Sequence, residues 1–95
     1  MLKMDESKKR FLHAIGNEAR LKILLALWKS DLELTIYKIS RVTGFGRSSV
    51  VRHIQNLVDR DLVLKKVYGE IPVYTINKDQ PEAKALIEFF RKVRL

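Results

Sequence analysis

The sequence predicts an α+β domain, mostly α-helical, with helices at both termini and one short β-hairpin before the last of them. Three observations predict it. Apolar residues recur at helical spacing in five separate segments. A glycine-bounded turn, Gly44-Phe45-Gly46, separates two of those segments. Two runs rich in β-branched and aromatic residues, 62–68 and 71–76, flank Gly69-Glu70, which has the length and glycine content of a hairpin turn.

Each element follows from local chemistry. The first helix is expected over about 5–15, where Phe11, Leu12 and Ile15 share a face and Ser7, Lys8, Lys9 and Arg10 form a polar side. Gly16 ends it, and Asn17 suits an N-cap because its side-chain oxygen accepts from a free backbone N–H. The second helix, about 18–29, carries Leu21, Ile23, Leu24, Leu25, Ala26, Leu27 and Trp28, an apolar belt wide enough to be buried on most sides. Leu32-Glu33-Leu34 is expected as one short strand. Thr35 caps a third helix, about 36–43, with Ile36 and Ile39 inward. The fourth helix, about 47–60, buries Val50, Ile54, Leu57 and Val58 and presents Ser48, Arg52, Gln55 and Asp59 on the opposite face. Pro72 and the paired Lys65-Lys66 weaken the hairpin signal that follows. Pro81 opens a last helix, about 81–94, whose apolar set is Ala83, Leu86, Ile87, Phe90 and Val93.

Helix, helix, short strand, helix, helix, hairpin, helix is the winged helix-turn-helix order. A single domain over 1–95 is expected, with the helix-turn-helix at about 35–61 and the wing at about 62–77. The helices at about 5–15 and 81–94 are candidates for dimerisation.

Three stretches resemble the small winged-helix repressors of the ArsR type, including archaeal relatives. They are I-G-N-E-A-R-L-K-I-L-L-A-L (15–27), the gapless run from Leu34 to Val63 with its Ser-Val-x-Arg-His-Ile pattern, and V-Y-T-I (73–76). The resemblance implies a DNA-binding transcription regulator, a repressor that occludes a promoter, dimerising through its terminal helices. Gly46 stands where many relatives have a capping Ser. Asp61 replaces the usual Gly after the recognition helix, where a left-handed residue is often needed, and Asp tolerates that conformation better than most. Metal-sensing relatives use cysteine pairs or His/Asp/Glu sets. This chain has no Cys and only His13 and His53, so no metal and no cofactor are expected.

The charge agrees with a polyanionic partner. The net charge is +8, and between Thr35 and Arg60 five basic residues face a single acid, Asp59. Without cysteine there is no disulfide framework or thiol switch. No apolar run approaches the roughly 18 residues of a membrane span, and the start M-L-K-M-D-E-S-K-K-R lacks the pattern of a secretory signal. The expectation is a cytoplasmic protein. No phosphate-binding glycine loop, cysteine nucleophile or recognisable acid pair points to an enzyme.

A helix N-terminus offers free N–H groups and partial positive charge, which suit phosphate. Arg47, Ser48 and Arg52 are therefore the candidate readers of bases or flanking phosphates, with Val51 and Gln55 adding contact further along. Ser49 is as well suited to capping as to DNA. In the wing, Lys65, Lys66 and Tyr68 are candidates for backbone contact, although the acid at Glu70 leaves open that the wing tip contributes nothing. His53 reads as a packed, hydrogen-bonded histidine at the core edge. Phe11, Leu12, Leu86, Phe89 and Phe90 exceed the needs of one small core and are the candidate dimer interface, the alternative being that they complete the monomer. Besides a sequence-specific double-stranded DNA-binding regulator, two other functions fit the fold: an architectural DNA-binding protein and a winged-helix protein-interaction module.

Overall fold

The computed structural model describes residues 4–95; the first three residues of the N-terminal stretch read for a signal lie outside it. Its elements are α1 (Glu6–Ile15), α2 (Glu18–Ser30), α3 (Ile36–Thr43), α4 (Arg47–Asp59), β1 (Val63–Tyr68), β2 (Ile71–Ile76) and α5 (Pro81–Lys92). This is the winged helix-turn-helix order. No helix among the described residues is long and apolar enough to cross a membrane.

Capping side chains set the helix starts. Asp5 accepts from the Lys8 N–H at 2.8 Å, Asn17 from that of Arg20 at 3.1 Å, and Thr35 from that of Lys38 at 3.1 Å. Each satisfies one N–H that has no partner within its own helix. Gln80 does the same for α5 through the Ala83 N–H at 2.8 Å, one residue before Pro81.

The core forms around α2. Ile23, Leu24 and Leu27 are essentially inaccessible, as are Ile39 of α3 and Val50, Ile54 and Leu57 of α4. Full burial of such a side chain stabilises the fold by about 1.5–3 kcal/mol. Leu62, Val63, Tyr74 and Ile76 close the core from the hairpin side, and Ala83, Leu86, Ile87 and Phe90 from α5.

The helix-turn-helix depends on Gly44. It ends α3 at φ 81°, in the left-handed region, with its N–H bonded to the Ser40 carbonyl at 2.8 Å. The Thr43 hydroxyl donates to the Ile39 carbonyl at 2.7 Å and accepts from the Phe45 N–H at 3.3 Å. The Phe45 ring packs against the core, so the turn is anchored at its centre.

Two ends are made alike. After α4, the Leu62 N–H bonds back to the Leu57 carbonyl and the Asp61 N–H to that of Val58, with Asp61 at φ 61°. After α5, Leu95 bonds back to Phe90 and Arg94 to Arg91, with Arg94 at φ 57°. Both are Schellman closures, which favour glycine at the left-handed position. Asp61→Gly is therefore expected to stabilise the domain by several tenths to about 1 kcal/mol, and Asp61→Ala to destabilise it. Urea unfolding of the three proteins tests the order.

The hairpin pairs Val63 with Ile76 through to Tyr68 with Ile71, leaving Gly69-Glu70 as a two-residue turn. Gly69 sits at φ 63°, the position where such turns favour glycine. Pro72 is harmless by register. Tyr68 and Ile71 close the turn, so hydrogen-bonded and non-bonded pairs alternate from there, and Pro72 lies in a non-bonded pair with its nitrogen directed away from β1.

Two expectations are corrected. The strand over Leu32–Leu34 is reduced to one bridge, in which Leu34 and Tyr74 exchange N–H···O bonds of 2.9 and 2.8 Å. Thr35 is already committed to capping α3, and Leu32 and Glu33 are exposed, so one residue remains to pair. Val93, expected on the apolar face of the last helix, is the C-cap residue and 47% exposed, because α5 stops at Lys92.

Candidate nucleic-acid interface

Helix α4 is fixed by the stripe Val50, His53, Ile54 and Leu57, all buried. The helical period then places Arg47, Ser48, Val51, Arg52 and Gln55 outward, and all five are exposed; Ser49 is half-buried. Gly46 provides no side-chain cap, and no acid lies in the first turn. The first N–H groups of α4 therefore keep their hydrogen-bonding capacity beside two serine hydroxyls and Arg47. Lys38 and Arg41 of α3 are exposed as well, and Arg41 donates to the Tyr37 hydroxyl at 3.0 Å. Gln55 is partly committed: its amide donates to Asp59 at 2.9 Å.

The structure separates the wing residues by face. In register, Lys65 sits across from Tyr74, on the side that carries Val63 and Ile76 into the core. Lys66 and Tyr68 lie on the other face, where both engage Glu33. The Tyr68 hydroxyl donates to its two carboxylate oxygens at 3.0 and 3.2 Å, and the Lys66 ammonium lies 3.9 Å away. Glu33, the residue before the Leu34 bridge to β2, thus braces the wing through Tyr68 and offsets the charge of Lys66. Sequence reasoning missed it, since nothing local marks a contact between residues so far apart in the chain.

The wing tip and the helix-turn-helix enclose a groove of about 220 Å³, lined by Thr35, Ile36, Tyr37 and Arg47 on one side and Glu70 and Ile71 on the other. Arg47 and Glu70 share this groove without forming an ion pair. Tyr37, 56% exposed, belongs to this surface and was not singled out from the sequence. Its position next to the inward Ile36 is the signal that would have found it.

His53 is 7% exposed, and its Nδ1 accepts from the Arg20 guanidinium at 3.2 Å. The same guanidinium donates to the His13 carbonyl at 3.0 Å, so one arginine of α2 links the end of α1 to α4. Burial, then the cations of Arg20 and Arg52, push the His53 pKa below its ordinary 6.5. The folded protein then takes up this proton less readily than the unfolded chain. His53's contribution to stability is complete above pH 6.5 and is lost as pH falls through the lower folded value. An NMR titration of the His53 ring should show a midpoint below 6.5, with urea stability falling over the same interval; a midpoint at or above 6.5 contradicts this environment.

The dimer candidates divide. Leu12 and Phe89 are 44% and 52% exposed, and Phe11 is half-buried against the core. Leu86 and Phe90, at 8% and 2%, are part of the single chain's own core. Among the described residues, no three His, Cys, Asp or Glu side chains come together as a metal site.

No protein-family model matches the sequence, and no curated protein matches it. Solved structures do. The chain superposes on HlyU from Vibrio cholerae N16961 with a TM-score of 0.78 at 28% identity, over 95% of this chain and 97% of that one. It is similar to Mb0332 from Mycobacterium bovis, the homodimeric winged helix-turn-helix DNA-binding domain of a possible ArsR-family transcriptional regulator, with a TM-score of 0.75 at 22% identity over 99% and 90% of the chains. The transcriptional repressor PagR of Bacillus anthracis matches with a TM-score of 0.75 at 22% identity, covering 90% and 93%. The chain shares the fold of these proteins, the winged helix-turn-helix of Mb0332.

Proposed function

We propose that this chain is a sequence-reading, double-stranded DNA-binding regulator of transcription that acts as a homodimer and represses by occluding its site. The observation that carries the reading is the exposed face of α4. Arg47, Ser48, Val51 and Arg52 project from the uncapped end of a helix whose other side is locked into the core. Such an end fits the major groove, with N–H groups and hydroxyls at phosphate and arginine at guanine edges. Mb0332 and PagR support the regulatory role, Mb0332 the homodimer and PagR repression.

Dimerisation through the terminal helices would use the exposed Leu12 and Phe89, with Phe11 at the margin and Leu86 and Phe90 supporting them from the core. A two-fold pair of recognition helices would meet half-sites about 34 Å apart, one turn of DNA.

The test is retention of a random-sequence duplex pool at moderate salt, followed by sequencing. Enrichment of a near-palindrome with half-sites one turn apart is the expected result. Retention without enrichment would favour an architectural protein, a reading to which the intrahelical Gln55–Asp59 bond lends some support. No retention even at low salt would leave a protein-interaction module.

The wing lysines are expected to behave differently. Lys65→Ala should flatten the salt dependence of binding by about one unit of slope, the amount for one lost phosphate contact. Lys66→Ala should do less, because Glu33 already offsets that charge, and Glu33→Gln should steepen the slope. Binding constants across a salt series decide it, and equal effects for the two lysines would overturn this division.

A further inference from the structure

A groove of about 750 Å³ lies away from the α3–α4 surface, between the end of α2 and the outer side of α5. Its apolar lining is Trp28 and Ile87. One side of the Trp28 ring rests against Phe90, with centroids 5.6 Å apart, while the side chain stays partly open to the groove. Phe90 in turn is fixed in the core, so the indole is held in place by packing before anything binds.

The charges around this floor do not balance. Both acids of the groove are engaged, Asp31 by Lys78 at 2.8 Å and Glu88 by Arg91 at 3.5 Å. Lys29 and Lys84 also line the groove, are exposed, and form no ion pair among the described residues. Two cations therefore remain beside a half-open indole and the buried edge of Ile87. A neutral apolar ligand would leave these cations unused, and an inorganic anion would leave the indole unused.

We infer that the groove between α2 and α5 binds an aromatic carboxylate, its ring laid against Trp28 and Ile87 and its carboxylate held by Lys29 and Lys84. Aromatic rings favour offset or edge contact with a fixed indole, and lysine ammonium groups accommodate a carboxylate without demanding one geometry. The site takes its residues from α2 and α5 and none from the exposed face of α4, so its occupancy is measured independently of any nucleic acid.

Trp28 is the chain's one tryptophan, so its indole N–H is a single resolved reporter in the 15N-labelled chain. We would titrate this protein with 1-naphthoate, and in parallel with the neutral 1-naphthamide and the aliphatic octanoate. The expected result is a saturable shift of the indole signal with naphthoate and binding about tenfold or more weaker for the amide. The doubly substituted Lys29→Ala, Lys84→Ala protein should lose a similar factor for naphthoate. Both lysines are exposed, so the variant should keep the dispersed amide spectrum of the folded chain. The inference is overturned by any of three results: no saturable shift up to millimolar naphthoate, naphthamide or the double variant binding as tightly, or octanoate matching naphthoate.

Discussion

Phe90→Ala is expected to destabilise the domain by about 3–5 kcal/mol, read as a lowered urea midpoint at unchanged slope. Phe90 is among the largest fully buried side chains, and its ring meets Trp28 on α2 as well as the inward face of α5. Removing it leaves a cavity that two rigid helices cannot collapse into. A domain of this length has a total stability of roughly 5–14 kcal/mol, so the variant would sit near the edge of folding. Phe89→Ala provides the contrast. Phe89 is the next residue in the chain but 52% exposed, and its loss should leave the unfolding of the isolated chain almost unchanged. If α5 is a dimer surface, the same substitution should weaken association, seen as a shift towards monomer in sedimentation at micromolar concentration. Equal destabilisation by the two substitutions would mean that Phe89 is covered in the working protein as deeply as Phe90.

That pair of neighbours marks the limit of what the chain reveals before folding. Both phenylalanines lie in an apolar-rich last helix, and counting apolar residues assigns both to an interface. Only the helical phase set by Ala83, Leu86 and Ile87 turns one inward and the other out. Features that depend on a few adjacent residues were legible: the caps at Asn17 and Thr35, the glycine-bounded turn at Gly44–Gly46, the two-residue hairpin turn and the strained position of Asp61. Each is decided by the chemistry of one side chain against nearby backbone. What stayed hidden joins distant parts of the chain. Arg20 reaches His53, Tyr68 reaches Glu33, and Lys78 reaches Asp31, with no periodicity to announce any of them. The short strand failed for a related reason, since Leu32–Leu34 has strand-like residues but Tyr74 offers pairing to Leu34 alone.

Two of these contacts bear on function, because Arg20 fixes α4 and Glu33 fixes the wing. Arg20 links α1, α2 and α4 through one guanidinium, so a terminal helix suited to dimerisation and the helix suited to DNA share a fixed point. The brace from Glu33 does the same for the wing. A two-fold dimer built on such a frame would deliver both recognition helices at a fixed separation, which is what reading two half-sites requires.

Arg52→Ala is the substitution that tests this frame most directly, and it is expected to weaken binding to the selected DNA site by about 1–3 kcal/mol. Arg52 is exposed on the outward face of α4, one turn beyond Ser48, and no carboxylate in the described structure holds it. A loss confined to the preferred sequence would identify a base contact, whereas an equal loss on all sequences with a shallower salt slope would identify a phosphate contact. Arg52→Lys separates these further, since lysine keeps the charge but not the planar fork that grips a guanine edge. Arg52 also stands among the cations that depress the His53 pKa. The alanine variant should therefore raise the His53 midpoint towards 6.5 whether or not DNA is present, a check that the side chain lies where the structure puts it. A raised midpoint with unchanged DNA affinity would leave the fold standing and remove α4's outward face from the binding surface.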